Sequence, residues 1–190
     1  MKHSIGKIEL ILGPMFSGKS TELIKRIRLF KVLNKKIMVV KPNIDNRYSE
    51  SDISTHDNIK YTSICVTHLS ELNTHYADNY KEIDIIVIEE GQFFPDLYDF
   101  VIQSANIDFK HVIIAGLSGD YNRKAIGKII DLIPHADTVE YKTALCTLCG
   151  DGTVAPFTFK KIKDTNQILV GGTDIYMPLC RYHYNMKSVE

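Results

Sequence analysis

Residues 8–20 read Ile8-Glu9-Leu10-Ile11-Leu12-Gly13-Pro14-Met15-Phe16-Ser17-Gly18-Lys19-Ser20. An apolar run is followed at once by the glycine, lysine and serine spacing of a phosphate-binding loop, and the next ten residues carry apolar side chains at helical spacing. The pattern predicts a strand, a glycine-rich turn and a helix N-terminus, where backbone N–H groups and the helix dipole favour a phosphate. In such a loop Lys19 contacts the β- and γ-phosphates and the Ser20 hydroxyl binds Mg²⁺. The stretch therefore predicts nucleotide binding.

Composition and charge narrow the function classes without selecting one. The chain has 190 residues, with 23 lysines and arginines against 23 aspartates and glutamates. A balanced charge disfavours binding to nucleic acid or to an anionic membrane, so selectivity has to come from a specific site. The first residues lack the apolar stretch of a signal peptide, and no apolar run reaches eighteen residues, which predicts a soluble cytoplasmic protein.

Short apolar runs rich in valine and isoleucine alternate with longer amphipathic stretches. We predict strands at residues 8–12, 37–40, 85–88, 111–115 and 138–142, and helices at residues 20–33, 69–80 and 96–104. Continuous apolar strands joined by helices predict an α/β fold, with a parallel sheet covered by helices on both faces. Nucleotides bind such sheets at the carboxyl ends of the strands.

The composition changes near residue 144. Three of the four cysteines lie beyond it, helical spacing stops, and residues 157–160 and 167–170 flank a polar turn at residues 163–166. This pattern predicts a hairpin with those two segments as its arms. We therefore predict two domains, a nucleotide-binding α/β domain at residues 1–143 and a small domain at residues 144–190.

Two acidic residues end the third predicted strand. Residues 85–88 are apolar and lead directly into Glu89 and Glu90. In a Walker B arrangement, one acid at this place holds Mg²⁺ and a second can act on the attacking nucleophile. Neighbouring side chains on a strand point to opposite sides, which predicts that Glu89 serves the metal and that Glu90 is the general base. A solvated strand end is the alternative.

Four residues with metal-binding side chains occur as two short pairs. Cys146 and Cys149 form one pair, Cys180 and His183 form the other, and 30 residues lie between the pairs. Three thiolates and one imidazole suit a tetrahedral Zn²⁺ site, and a closed site of four protein ligands is structural. A disulfide with a free thiol is the alternative, which a reducing compartment disfavours. Cys65 is predicted to be a buried apolar residue.

With these motifs in place, the chain resembles the type II, or cellular-type, thymidine kinase family. The resemblance rests on residues 13–23, on Thr55-His56-Asp57, on Glu90-Gly91-Gln92-Phe93-Phe94, and on the metal-binding pairs with Gly171-Gly172-Thr173-Asp174-Ile175-Tyr176 between them. These blocks span nearly the whole chain in the family's order and spacing. The resemblance implies a P-loop domain that binds ATP with Mg²⁺, and a structural Zn²⁺ domain that carries a substrate-covering lasso loop.

The resemblance also implies roles for individual residues. Glu90 matches the catalytic acid, which takes the proton from the 5′-hydroxyl of thymidine. Contacts to ATP or Mg²⁺ are implied for Gly13, Pro14, Met15, Phe16, Ser17, Gly18, Lys19, Ser20, Asp57, Glu89 and Gln92. Residues that match the nucleoside pocket are Met15, Phe93, Leu117, Tyr121, Thr158, Leu169, Val170, Gly171 and Tyr176. Without the family match, the apolar members would be assigned to the core and Asp57 to a turn.

The chain departs from the family pattern at several of these positions. Glu89 replaces the usual aspartate, Tyr121 replaces a phenylalanine, and Ile126 replaces an aromatic residue that packs near the base. We expect altered nucleoside preference rather than loss of catalysis, because Lys19 and Glu90 are retained along with Ser20. The pattern places Arg123 near the substrate loop, as a helper cation or as a solvated surface arginine.

The leading hypothesis from the sequence is an ATP-dependent thymidine kinase. By resemblance we expect thymidine and ATP as substrates, thymidine triphosphate (dTTP) as a feedback inhibitor, and a homotetramer. Alternatives are a kinase for another pyrimidine deoxynucleoside such as deoxyuridine, and a non-catalytic nucleotide sensor in which Glu89 has impaired Mg²⁺ binding. A zinc protein that binds nucleic acid is disfavoured, because no basic stripe surrounds residues 146–183.

Overall fold

The computed structural model describes residues 5–43, 52–54, 60–163 and 165–188. Its strands are β1 (Lys7–Gly13), β2 (Ile37–Pro42), β3 (Asp52–Ser54), β4 (Lys60–Thr62), β5 (Ile64–Val66), β6 (Ile85–Ile88), β7 (His111–Leu117), β8 (Thr138–Tyr141), β9 (Ala144–Leu145), β10 (Val154–Ala155), β11 (Phe157–Lys160) and β12 (Tyr176–Leu179). Its α-helices are α1 (Lys19–Val32), α2 (Ala77–Glu82), α3 (Leu97–Asn106) and α4 (Arg181–Lys187), and 3-10 turns lie at Leu69–Asn73, Gly91–Phe93 and Ile130–His135. Within the described ranges no helix combines the length and the apolar character that a membrane crossing requires.

Six strands form one parallel sheet in the order β5-β2-β6-β7-β1-β8. The register pairs Gly13 with Leu117 where β1 and β7 end, and it pairs Ile88 of β6 with Ile114 of β7. Because all these strands run the same way, the segments that follow β1, β6 and β7 leave the sheet at one edge. The strands predicted at residues 8–12, 37–40, 85–88, 111–115 and 138–142 all belong to this sheet.

Helices cover both faces of the sheet. Leu10 and Leu12 of β1 pack in one buried cluster with Val101 of α3, whereas Ile11 packs in a second cluster with Leu23 of α1. This alternation follows from the two-residue period of a strand, which sends successive side chains to opposite faces. Each fully buried leucine or isoleucine stabilises the fold by about 1.5–3 kcal/mol. The predicted α/β class, with a parallel sheet between helical layers, is confirmed.

Two of the three predicted helices are confirmed, and the third is broken. Residues 20–33 correspond to α1 and residues 96–104 to α3. Residues 69–80 instead contain the 3-10 turn Leu69–Asn73, whose C-cap is Thr74, and α2 begins only at Ala77. Asn73 and Thr74 both have low helix propensity, so one continuous helix does not form across them. The short edge strand β5 was not predicted, since three residues are too few to show a period.

The predicted hairpin partner of residues 157–160 is wrong. β11 pairs in antiparallel fashion with β12, residues 176–179, and not with residues 167–170. The reason is burial: Leu179 packs in a third, small apolar cluster and Tyr176 is also buried, whereas Ile168 and Val170 stay 40% and 45% exposed. Residues 167–170 instead belong to a loop that crosses a pocket, which is described below.

A network of ion pairs ties α1 to the sheet. Arg26 of α1 donates hydrogen bonds to Glu9 of β1 at 2.7 Å, to Glu22 at 2.9 Å and to Glu140 of β8 at 3.1 Å. Burial by itself raises the pKa values of Glu9 and Glu22, but hydrogen bonds from Lys7 to Glu9 and from Arg26 to Glu22, with nearby cations, hold both pKa values below the usual range. Helix α1 follows the phosphate loop directly, so this network also positions the loop.

We predict that Arg26→Met destabilises the protein by about 2 kcal/mol, because it leaves two buried carboxylates without their shared cation. A carboxyl group whose pKa is lowered by folding stabilises the protein above its ordinary pKa of 4.5, and this stabilisation is lost as the pH falls through the folded-state pKa. Removing the cation raises the folded-state pKa, so in the variant the acid-dependent loss is smaller and is complete at higher pH. Urea unfolding between pH 7 and about pH 3 measures both effects.

Lys25→Met is the matched control for this prediction. Lys25 lies on the same helix and pairs with Glu22 at 3.2 Å, but its side chain is 65% exposed. Exposed pairs contribute little, so we expect a change within about 0.5 kcal/mol. Equal destabilisation by the two variants would show that the Arg26 network contributes no more to the free energy of unfolding than an exposed ion pair does.

Candidate active site

The phosphate loop lies between the end of β1 and the start of α1. Gly18 is the helix N-cap and adopts a left-handed conformation with φ 77°. A side chain at Gly13 would place its Cβ 2.5 Å from the carbonyl oxygen of Lys142, so this close approach requires glycine. Lys19 Nζ and Ser17 Oγ both donate to the carbonyl oxygen of Pro14, at 2.7 Å and 2.8 Å. The Lys19 ammonium therefore lies over the loop.

The first acidic residue after β6 meets the loop. Ser20 Oγ donates a hydrogen bond to Glu89 Oε1, and the Glu89 backbone N–H donates to Val40 at 2.9 Å. This contact arises because β1 and β6 end at the same edge of the sheet. A hydroxyl and a carboxylate side by side are the oxygen ligands that Mg²⁺ prefers, so these two residues fit that ion.

The second acidic residue turns away from the first. Glu90 adopts a left-handed backbone conformation, with φ 50° and ψ 45°, and the 3-10 turn Gly91–Phe93 follows it. Its carboxylate accepts a hydrogen bond from Gln92 Nε2 at 2.5 Å, and Glu90 lines an apolar pocket. Gln92 is 2% exposed. The two acids thus face different surroundings, one at the phosphate loop and one at the pocket.

The pocket collects most of the residues that the sequence assigned to a nucleoside site. Its walls consist of Met15, Glu90, Phe93, Leu117, Gly119, Asp120, Tyr121, Ile126, Thr158, Gln167, Ile168, Leu169, Val170 and Tyr176. Eight of the nine predicted residues are in this set, and the exception is Gly171, which packs against Ile175. Such apolar walls with a few polar groups suit a small aromatic ligand. Asp57, predicted on the ATP side, lies outside the described residues.

Several pocket residues were missed at the sequence level. Asp120 is 6% exposed, and its Oδ1 accepts hydrogen bonds from the backbone N–H groups of Asn122 at 2.8 Å and Lys124 at 2.7 Å. Its Oδ2 accepts from Gln167 Nε2 at 3.0 Å. This bond anchors residues 165–175, here called the lasso segment, across the pocket. An aspartate after Ser118-Gly119 predicts a turn, but no local pattern predicts its contact with Gln167, 47 residues further along the chain.

The phosphate loop is also fastened to the cysteine-containing part of the chain. The Met15 backbone N–H donates to Thr158 Oγ1 of β11 at 2.9 Å, and Thr158 is 5% exposed. Phe16, with φ 64°, packs against a small apolar cluster that contains Leu179 and Tyr184. Two of the four loop positions that the phosphate-binding pattern leaves free, Met15 and Phe16, therefore make this contact.

Arg123 lies at the same junction. Its guanidinium stands 4.6 Å from the ring centroid of Tyr184 and 5.5 Å from that of Phe157. The Tyr184 hydroxyl donates to the backbone carbonyl of Tyr121, so Tyr184 of α4 contacts the loop that carries Arg123 at two points. Cation–π contacts of this kind contribute about 0.5–2 kcal/mol each. The structure thus gives Arg123 a packing role, and its predicted role toward substrate stays a prediction.

The four predicted metal ligands converge. The Nδ1 atom of His183 lies 3.4 Å from the sulfurs of Cys146 and Cys149 and 3.5 Å from that of Cys180, and the Cys149 and Cys180 sulfurs are 3.9 Å apart. Metal–ligand bonds of a tetrahedral Zn²⁺ site imply edges of about 3.6 Å between nitrogen and sulfur and about 3.8 Å between sulfurs. Burial raises the pKa of Cys146, but backbone N–H groups and His183 lower it overall to about 6, whereas burial and the neighbouring Cys146 and Cys180 raise the pKa of Cys149 to about 11. The first thiolate is thus stabilised by the cluster itself, and a bound metal ion would stabilise the others. The donor set therefore fits zinc.

Comparisons with known proteins agree with this arrangement. A family model described as thymidine kinase matches residues 6–184. The chain is 43% identical over 184 residues to thymidine kinase a of Arabidopsis thaliana, covering 96% of this chain and 76% of the plant protein. It is 42% identical to the thymidine kinase of Amsacta moorei entomopoxvirus, covering 94% and 97%, and 41% identical to thymidine kinase 1 of Dictyostelium discoideum, covering 97% and 80%.

We predict that Thr158→Val destabilises the protein by about 2 kcal/mol. Valine has nearly the same shape as threonine but no hydroxyl, so the Met15 N–H loses its acceptor in a partly buried place. Denaturant unfolding of the purified protein measures the loss.

Thr158→Ser is the control, since it keeps the acceptor oxygen and removes one methyl group. It should cost no more than about 1 kcal/mol. If the serine variant loses as much stability as the valine variant, the hydrogen bond to the phosphate loop does not carry the effect.

Proposed function

Because this chain belongs to the thymidine kinase family, we propose that it transfers the γ-phosphate of ATP to the 5′-hydroxyl of thymidine and so forms thymidine monophosphate. One observation carries the proposal beyond family membership. The Glu90 carboxylate and Met15 of the phosphate loop line the same apolar pocket. A nucleoside in this pocket therefore has a proton acceptor and the phosphate-binding loop on neighbouring walls, as a phosphoryl transfer requires.

On the donor side, the loop from Gly13 to Ser20 binds the ATP phosphates with its backbone N–H groups. Lys19 neutralises charge on the transferred group, and its ammonium already lies over the loop. Ser20 and Glu89 are the residues that would hold Mg²⁺, which neutralises phosphate charge when bound. Glutamate is one methylene longer than the aspartate of the family pattern, and its direct hydrogen bond to Ser20 supports this role.

On the acceptor side, the apolar walls bind the base and Glu90 receives the proton of the 5′-hydroxyl at its carboxylate. Stacking surfaces come from Phe93, Tyr121 and Tyr176. Ile126, which stands where the family carries an aromatic residue, is 6% exposed and lines the pocket. This exchange supports a changed preference among pyrimidine deoxynucleosides, with deoxyuridine as the second candidate substrate.

Zinc in this proposal is a structural ion held by Cys146, Cys149, Cys180 and His183. The surrounding apolar cluster is small, and it is separate from the two clusters of the large sheet. This separation supports residues 144–190 as a small unit of their own, which the ion stabilises by joining the turn after β9 to Cys180 and to α4. The metal would supply no chemistry to the substrate, since four protein ligands close its coordination shell.

Assembly and regulation follow from the family resemblance. A homotetramer is supported by apolar side chains at the end of α1, where Leu29, Val32 and Leu33 are 56%, 80% and 66% exposed. Inhibition by thymidine triphosphate is supported by the presence of Met15 and Glu90 in the pocket lining. A nucleoside in the pocket would direct its 5′ end toward Glu90 and the phosphate loop, where its own phosphates would bind. A cytoplasmic location stays a prediction of the sequence.

We predict that the purified protein with ATP and Mg²⁺ phosphorylates thymidine, and that Glu90→Gln lowers kcat by about a hundredfold or more, since it removes the proton acceptor. A nucleotide-binding assay on the same variant should show unchanged ATP affinity. Faster turnover of deoxycytidine or a purine nucleoside than of thymidine would contradict the substrate assignment. A wild-type protein that binds ATP but transfers no phosphate would favour the nucleotide sensor.

We also predict one zinc ion per chain by elemental analysis, and loss of that ion with a lower melting temperature in Cys146→Ser. Loss of one ligand opens the tetrahedral site, and the small unit then lacks the metal ion that stabilises it. Cys65→Ser is the matched control, because Cys65 lies in β5 outside the cluster and should change neither zinc content nor activity. Zinc-free wild-type protein of full stability would overturn the structural role.

A further inference from the structure

Glu90 is held in a backbone conformation that it would not adopt by itself. Its φ of 50° and ψ of 45° place it in the left-handed region, which is unfavourable for a residue with a Cβ. Such a conformation persists only where neighbouring groups enforce it. The turn separates Glu90 from Glu89 and aims it into the pocket, so the groups that enforce it also decide where the carboxylate lies.

Gln92 is bonded at both ends of its side-chain amide. Nε2 donates to Glu90 Oε2 at 2.5 Å, and Oε1 accepts from the backbone N–H of Leu117 at 3.0 Å. The backbone N–H can only donate, so it fixes which end of the amide carries the oxygen and which end reaches Glu90. Leu117 is the last residue of β7. The amide thus connects the Glu90 carboxylate to the rigid end of a central strand.

Gly116 and Gly127 have no side chains, and Gln92 fits only because they have none. A Cβ at Gly116 would lie 2.4 Å from Gln92 Oε1, and a Cβ at Gly127 would lie 2.2 Å from the Gln92 backbone oxygen. Contacts this short do not occur, so any larger residue at either position would move Gln92. With 2% of its surface exposed, Gln92 is enclosed by the backbone of β7 and by the loop around Gly127.

We propose that Gln92 is the positioning residue of the reaction, which holds the Glu90 carboxylate at the acceptor pocket and touches neither ATP nor Mg²⁺ itself. This inference rests on the proposed phosphoryl transfer to a nucleoside. A carboxylate that accepts a proton in an in-line transfer has to lie within hydrogen-bond reach of the attacking hydroxyl, and a misplacement of about 1 Å can cost a hundredfold in rate. The resemblance placed Gln92 on the ATP side, whereas its contacts place it on the acceptor side.

A double-mutant cycle tests the proposal. Gln92→Met keeps the length of the side chain and removes both hydrogen-bonding groups. Gln92→Glu keeps the acceptor for Leu117 and replaces the amide donor with a second carboxyl group, which shares a proton with Glu90 and so impairs it as a base. Each should lower kcat about tenfold to a hundredfold and leave the KM values for ATP and thymidine within about threefold. In a Glu90→Gln background the same changes should lower kcat by less than about twofold, because Gln92 acts only through Glu90.

Gly116→Ala provides a second route that leaves both interacting residues intact. Its Cβ would lie 2.4 Å from Gln92 Oε1 and equally close to Cδ1 of the buried Ile129, so it displaces the Gln92 amide and also shifts the Ile129 side chain. We expect kcat to fall without a large change in ATP affinity, and this variant replaces Gln92→Met in the test if Gln92→Met does not fold. Gln103→Met is the matched control, since Gln103 is an exposed residue of α3, and it should retain wild-type kcat.

The outcomes separate this inference from the proposed function. If wild-type protein does not phosphorylate a nucleoside, the proposed function fails. If wild-type protein is active but the Gln92 variants keep full kcat, or raise only the KM for ATP, the positioning role fails and the proposed function stands. A kcat loss that multiplies with that of Glu90→Gln would likewise overturn the positioning role, because it would show that Gln92 acts independently of Glu90.

Discussion

The parallel register of β1, β6 and β7 is the constraint on which the candidate site depends. Gly13 pairs with Leu117, and Ile88 pairs with Ile114, so the chain leaves these three strands at one edge of the sheet. The phosphate loop, the pair Glu89 and Glu90, and the loop after Leu117 are therefore neighbours in space although about 100 residues separate the first from the last. Backbone hydrogen bonds between the strands determine this arrangement, and side-chain contacts such as Ser20 to Glu89 stabilise it further.

Two further sets of contacts bring the rest of the site to that edge. Thr158 and the cluster around Tyr184 bind the phosphate loop through Met15 and Phe16. Asp120 binds the lasso segment through Gln167. Each contact joins a residue near the sheet to one beyond residue 144. The pocket thus has walls from both parts of the chain, and a ligand bound there would stabilise their association.

Motifs with fixed local geometry could be predicted, and features that need a distant partner could not. The phosphate loop and the cysteine pairs have characteristic spacings, because a phosphate or a metal ion imposes them on a short segment. The partner of β11 was predicted wrongly, since residues 167–170 and β12 are both short and partly apolar, and the burial of Tyr176 and Leu179 distinguishes them. Asp120 and Gln167 were missed because the sequence around each is typical of an ordinary polar loop.

Local pattern was thus sufficient for the α/β class, for β1, β2, β6, β7 and β8 of the large sheet, and for the grouping of Cys146, Cys149, Cys180 and His183. It also located the phosphate loop and the acidic pair. These properties follow from side-chain period and from ligand geometry, which act over a few residues. The direction of Glu90, the amide bridge through Gln92 to Leu117, and the anchoring of the lasso segment depend on tertiary contacts. They require backbone and side-chain atoms from segments far apart in the chain to meet within hydrogen-bond distance, and that happens only once the sheet has formed.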